Sequence, residues 1–186
     1  MTMRVAVETV VCNTRNWLER AVIGLNLCPF AKAVHAKGQI HYAVSGATHP
    51  RQLLDDLATE MDALLALDAK VRETTLLIAP GCLGNFLEFN DFLDQADRLL
   101  RKRRLQGVLQ LASFHPRYQF AGTEADDVTN FTNRSPYPTL HLLREVSIDR
   151  AVQAIAQPED IFEANMKTLR NLGRDGWDAL GIGPKE

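Results

Sequence analysis

Six consecutive residues, TTLLIA at 74–79, leave the chain few folds to choose from. The run is apolar and β-branched without alternation, and far shorter than the roughly 20 apolar residues that cross a bilayer. It reads as a strand covered on both faces, which requires helices above and below a sheet. The turn PGCLGN at 80–85 follows it directly.

The flanking segments supply those layers. Val7, Val10, Val11, Leu18, Ala21, Val22 and Leu25 recur at helical spacing, and Pro29 biases Cys28 away from helix, so a first helix ends before the CPF turn. QIHYAV at 39–44 is strand-like. Thr48, His49 and Pro50 open a helix whose inward stripe is Leu53, Leu54, Leu57, Met61, Leu64 and Leu65. Another helix runs from about Phe86 to Leu105, with Phe89, Phe92, Leu93, Ala96, Leu99 and Leu100 inward. Its last turn, RKRR at 101–104, complements the helix dipole, and Gly107 follows. GVLQLASF at 107–114 and TLHLLREVS at 139–147 are the remaining strands. Asp149 caps a short helix through Ile155, and Pro158, Glu159 and Asp160 start a last helix. That helix turns Ile161, Phe162, Met166 and Leu169 inward and closes at Gly173, before a packed turn around Trp177.

The pattern predicts an α/β fold in a single layered domain over 1–186. Its mostly parallel four-stranded sheet (39–44, 74–79, 107–114, 139–147) is flanked by about five helices. Right-handed crossovers join the first three strands, and the fourth strand stands at an edge with its direction left open.

At 186 residues and 46% hydrophobic, the chain suits one core rather than two. A net charge of −2, with RKRR the one strongly one-signed run, argues against a nucleic-acid partner. Three cysteines at spacings that fit neither a zinc site nor a C-x-x-C pair point to a reducing compartment. Glu8 interrupts the apolar stretch a signal peptide would need, so the expectation is a cytoplasmic protein with no membrane partner. No cofactor is required by the sequence.

Chemistry is expected between the third and fourth strands. The 25 residues at 114–138, FHPRYQFAGTEADDVTNFTNRSPYP, carry no helical or strand period, and structureless connections of that length are usually functional or disordered. Phe114, Tyr118, Phe120, Phe131 and Tyr137 would anchor this loop, and its prolines stiffen it, so it reads as ordered and functional. Parallel sheets bind ligands at the carboxyl ends of their strands, which would gather Cys82, His115 and Arg117 at one edge.

Within the loop, Arg134 offers a planar fork for carboxylate or phosphate, and Asn130, Asn133 and Ser135 add neutral donors. Arg144 falls by alternation among Leu140, Leu142, Val146 and Ile148, where a charge needs an anion, either a carboxylate such as Glu88 or a ligand. His115 is the best-placed histidine for general acid–base work, and His141, on the opposite face from Arg144, is second. Both also read as hydrogen-bonded structural groups. Cys28 before Pro29 and Cys82 near a helix N-terminus are candidate nucleophiles, or else small buried apolar groups. Asp126 and Asp127, with Asn130, resemble a metal-supported diphosphate motif, but the reading favoured is turn carboxylates.

CPFA at 28–31, SFHPRYQFAG at 113–122, NFTNRSPYPTLHLLREVS at 130–147 and LRNLG at 169–173 resemble the uncharacterised family catalogued as domain of unknown function 1415. The resemblance implies one domain of this length and supplies no reaction, cofactor or partner.

The functional expectation therefore rests on residues. The first reading is an enzyme of transferase or hydrolase type on a small anionic metabolite, held by Asn130, Asn133, Arg134, Ser135, Arg117 and Arg144. In it His115 moves a proton, Cys28 or Cys82 attacks if the chemistry is covalent, and the loop is a lid. The alternatives are a non-catalytic module binding a protein or an anion, and a loop whose polar groups hold only the loop itself.

Overall fold

The computed structural model describes residues 6–153 and 160–183. Helix α1 (Val7–Trp17) passes without interruption into a π-helical turn (Leu18–Ile23). Val10, Trp17, Leu18, Ala21 and Val22 are buried, whereas Val7 is 57% exposed and does not share the stripe expected of it. Gly24 closes the wider turn: its N–H reaches the Glu19 carbonyl at 3.0 Å, and a Cβ at this position would stand 2.3 Å from Arg20 O. Only glycine fits there.

The CPF turn leads into a short helix, α2 (Ala31–Ala36), which the sequence pattern did not announce. Strand β1 (Ile40–Val44), helix α3 (Pro50–Leu65), strand β2 (Thr74–Ile78), helix α4 (Phe86–Lys102) and strand β3 (Leu109–Phe114) follow as expected in order. Pro50 stands in the first turn of α3, where its missing N–H is no loss. Asn85 caps α4, its side chain accepting from the Leu87 and Glu88 amides at 2.9 and 3.2 Å. All five residues of β2 are buried, as a strand covered on both faces demands.

The expected structureless loop contains a 3-10 segment, Val128–Asn133. Asp127 starts it by accepting from the Thr129 amide at 2.9 Å and the Thr129 hydroxyl at 2.7 Å. Strand β4 (Thr139–Arg144) stops short of the expected 147, because helix α5 (Glu145–Gln153) begins at the next residue. Its expected end at Ile155 and the expected opening of the last helix at Pro158 and Glu159 lie outside the described residues. Helix α6 (Asp160–Ala179) breaks at Gly173, whose φ of 67° and ψ of 179° end the first helical stretch where the sequence placed its close. Beyond it the chain turns helical again instead of forming the expected turn around Trp177.

The sheet order is β1-β2-β4-β3, and two expectations about it are corrected. The sheet is mixed rather than mostly parallel: β1 pairs parallel with β2, while β4 runs antiparallel to both β2 and β3. The fourth strand is also interior, not an edge. The reason is the connection. A parallel return needs a crossover to the opposite end of the sheet, usually a helix. The chain from 115 to 138 instead stays at the edge where β3 ended, because Phe114 and Thr139 pair directly. Strand β4 also carries buried Leu140 and Leu142 on one face and buried Thr139 on the other, which suits a strand with neighbours on both sides.

Helices α3 and α4 cover one face, packing Leu53, Leu57, Met61, Leu64, Phe89, Phe92, Ala96 and Leu100 on Leu77, Leu109, Leu140 and Leu142. Each fully buried Leu, Met or Phe of this set contributes about 1.5–3 kcal/mol. On the other face Val10 packs with Leu76 and Ile78, and Trp17 meets Phe114 edge-on at 5.1 Å. Arg103 of the basic turn ion-pairs with Asp62 of α3. Among the described residues no helix is long and apolar enough to cross a membrane.

Candidate functional site

Ile78, the last residue of β2, and Phe114, the last of β3, both pair with Thr139, the first of β4. The loops leaving β2 and β3 and the segment entering β4 therefore share one edge of the sheet. The expected meeting of PGCLGN with SFHPR occurs here: His115 Nε2 lies 3.0 Å from the Leu83 carbonyl, and Arg117 donates to the Gly84 carbonyl.

The edge is plugged by its own loops rather than open. His115 is fully buried between Phe86 and Phe89, whose ring centroids lie 5.4 and 5.0 Å from its own. Its Nδ1 accepts from the Arg117 amide at 2.9 Å, so Nε2 carries the proton donated to Leu83 O. Burial holds the ring below the ordinary histidine range, with Arg117 and Arg134 adding to the effect against the bond to Leu83. The result is a neutral imidazole with both nitrogens engaged by backbone.

Cys82 lies in the same core, 6% exposed, and burial pushes its thiol upward. The thiolate expected from the helix dipole is not favoured, because burial, and then the charge of Glu88, work against it. Cys28 packs on the other face of the sheet, against the cluster of Trp17, Leu18, Ala21 and Val22. The sheet thus stands between Cys28 and His115. His141 is also on that second face, its Nε2 2.7 Å from Thr74 Oγ1 and its ring 6.1 Å from that of Phe114. Burial pushes its pKa down to about 4.

The loop's amides and hydroxyl bind the loop itself. Fully buried Asn130 accepts from the Phe120 amide and the Thr123 hydroxyl, both at 2.9 Å, and donates to Glu124 O at 2.8 Å. Asn133 donates to Ser113 O at 3.1 Å, and Ser135 to Tyr137 O at 2.6 Å. These three do not line up as free donors beside Arg134. Asp127 caps the 3-10 segment, and its Thr129 bonds, with help from Arg170, hold its carboxyl below the usual range. Asp126 is exposed, and among the described residues no three His, Cys, Asp or Glu side chains gather as a metal site would need.

Arg144 is at the far end of β4, away from this edge. Its guanidinium donates to the carbonyls of Leu64, Leu67 and Arg72 at 2.7, 2.8 and 3.0 Å, closing the end of α3. Three backbone carbonyls thus meet one NH2 group of the guanidinium, while its Nε is buried without a hydrogen-bond partner among the described residues, and Val146 and Ile148 belong to α5 rather than to its strand face.

Arg134 remains. Its Nε donates to Tyr118 O at 3.1 Å and an NH2 group to Ala125 O at 2.6 Å, while the guanidinium carbon lies 4.7 Å from the centroid of Phe131. No carboxylate pairs with it among the described residues. Burial, and then the like charge of Arg174, hold it below the ordinary guanidinium range. Trp177 of α6 stacks on the same Phe131 ring at 4.9 Å and 28°, and Arg174 stands 5.4 Å from its centroid. The sequence reading missed α6 as part of this edge. The available signal was the pair Arg174 and Trp177, three apart beyond the break at Gly173.

A family model described as Protein of unknown function (DUF1415) matches residues 9–179, and the chain belongs to that family. No curated protein and no solved structure matches the chain.

Proposed function

We propose that this member of the DUF1415 family is a non-catalytic binding module for a small anion bearing a carboxylate or phosphate, docked on the guanidinium of Arg134. One observation carries the reading. Arg134 is partly withdrawn from water, held by two neutral carbonyls and an aromatic face, and lacks a carboxylate partner among the described residues. Withdrawing a cation from water is costly unless an anion offsets it, and carbonyl dipoles offset only part of the charge. The planar fork keeps a donor edge for an incoming oxyanion.

Catalysis by His115 is not part of this proposal, since a general base needs a nitrogen free for substrate and both are occupied. The loop aromatics Tyr118 and Phe120 are half-buried and meet edge to face at 5.0 Å.

The test is thermal unfolding of the wild type and Arg134→Gln with inorganic phosphate, acetate and citrate at fixed ionic strength. A ligand at 100 times its dissociation constant adds about 2.7 kcal/mol of stability. At this chain length that raises the midpoint by about 5–10 °C. A rise in the wild type that disappears in the variant supports the reading; no rise with any of the three anions ends it.

A further inference from the structure

Resting on that reading, we propose that Arg174 of α6 is a second ligand of the same anion, so that the site selects a phosphoryl group over a monocarboxylate and joins α6 to the loop. Two guanidinium groups converge on one ring, Arg134 at 4.7 Å and Arg174 at 5.4 Å from the Phe131 centroid. Like charges brought to one platform repel unless a counter-charge lies between them. The carboxylates nearby do not supply it to both. Asp178 approaches Arg174 Nε at 3.9 Å, with the two side chains 66% and 57% exposed, an arrangement of little energetic value. Asp127 is occupied by Thr129 and sits closer in charge to Arg170 than to this pair.

The backbone arranges the convergence. Asn165 donates to Leu27 O at 2.9 Å and Leu169 is 1% exposed, so the first part of α6 is anchored in the body. The break at Gly173, with φ at 67°, then redirects residues 174–179 so that Trp177 stacks on Phe131 and brings Arg174 beside it. A side chain at Gly173 would meet no neighbouring atom, so the glycine answers to the backbone angle alone.

Ligand class follows from charge and oxygen count. A carboxylate has two oxygens and one charge, which a single arginine fork satisfies. A phosphate monoester carries about −1.5 to −2 charge at pH 7 and three acceptor oxygens, enough for two forks. Free phosphate and a phosphorylated metabolite share this chemistry.

The experiment is calorimetric titration of the full chain with inorganic phosphate, glycerol phosphate and acetate at matched ionic strength. Wild type is compared with Arg174→Gln, Arg170→Gln and Arg134→Gln, each first shown to melt cooperatively. Arg174→Gln is expected to weaken phosphate binding by about tenfold or more, the scale of one charge-assisted pair, and to leave acetate binding unchanged. Arg170→Gln is expected to stay within about twofold of wild type, since its charge lies toward Asp127. Tighter binding of glycerol phosphate than of inorganic phosphate would assign the ester as the ligand, and the reverse would assign the free ion. Wild-type phosphate affinity in Arg174→Gln, with loss in Arg134→Gln, would overturn the role of Arg174 and leave the anion reading standing. Equal losses in Arg170→Gln and Arg174→Gln would reduce the effect to general electrostatics and also overturn it. No binding of any anion by the wild type would remove both.

Discussion

His115 Nε2 and the carbonyl oxygen of Leu83 are 3.0 Å apart, and that bond ties the end of β3 to the loop leaving β2. Leu83 has a φ of 56°, a left-handed conformation that costs a leucine roughly 1–2 kcal/mol, so the imidazole holds a strained carbonyl in place. His115→Ala is expected to lose about 3 kcal/mol, from two orphaned backbone groups and the gap left between Phe86 and Phe89. Urea denaturation checks this. Unchanged stability would show that the ring does not hold the edge together and would return it to the list of groups available for proton transfer.

Acid sensitivity has a definite sign. Burial moves His141 from 6.5 down to about 4, so between those values the unfolded chain takes up a proton that the native chain does not. The stability tied to the neutral ring is complete above the unfolded pKa and is lost as pH falls toward 4, by about 3 kcal/mol at the end of that window. His41 and His115 are also lowered by burial and push in the same direction. In His141→Gln, whose amide can still donate to Thr74, the fall in urea midpoint between pH 7 and pH 4.5 should be clearly shallower. A slope identical to wild type would mean His141 titrates normally.

Arg144 separates stability from binding. Its three carbonyl acceptors close the end of α3, so Arg144→Ala is expected to destabilise by about 3 kcal/mol. Arg144→Lys should recover only part, as a point donor replacing a fork. Five residues of strand, about 17 Å, separate Arg144 from the Thr139 edge, so phosphate affinity of the folded variant should match wild type. Weakened binding at full foldedness would place Arg144 in the ligand's surroundings after all.

Arg104 offers the opposite outcome. It follows α4 with a φ of 56° and is exposed, a position where glycine is the usual residue. Arg104→Gly should gain about 0.5–1 kcal/mol, the relief of left-handed strain less the added freedom of the unfolded chain. A thermal midpoint that falls instead would show that the arginine side chain contributes more than its backbone angle takes away.

The two arginines expected to act together show why the polar loop was only partly legible. By residue type, Arg134 and Arg144 were equivalent candidates for an anion. Their acceptors are carbonyls 72, 77 and 80 positions away for Arg144, and 16 and 9 away for Arg134, and no local pattern specifies such partners. Asn130 was similarly ambiguous, because an amide suits a ligand and a backbone turn equally until burial decides between them.

Local chemistry by itself determined the elements: the uninterrupted apolar run of β2, the stripes of α3, save exposed Leu65, and of α4, Pro50 at a helix start and the end of regular helix at Gly173. These depend on periodicity and backbone sterics, which act over a few residues. Tertiary structure alone decided the sheet order, the plugged carboxyl edge and the approach of Arg134 and Arg174 to the ring of Phe131. Each depends on which distant segments pack together, and that choice comes from burying the faces of β4 and Phe131, a non-directional force summed over the chain.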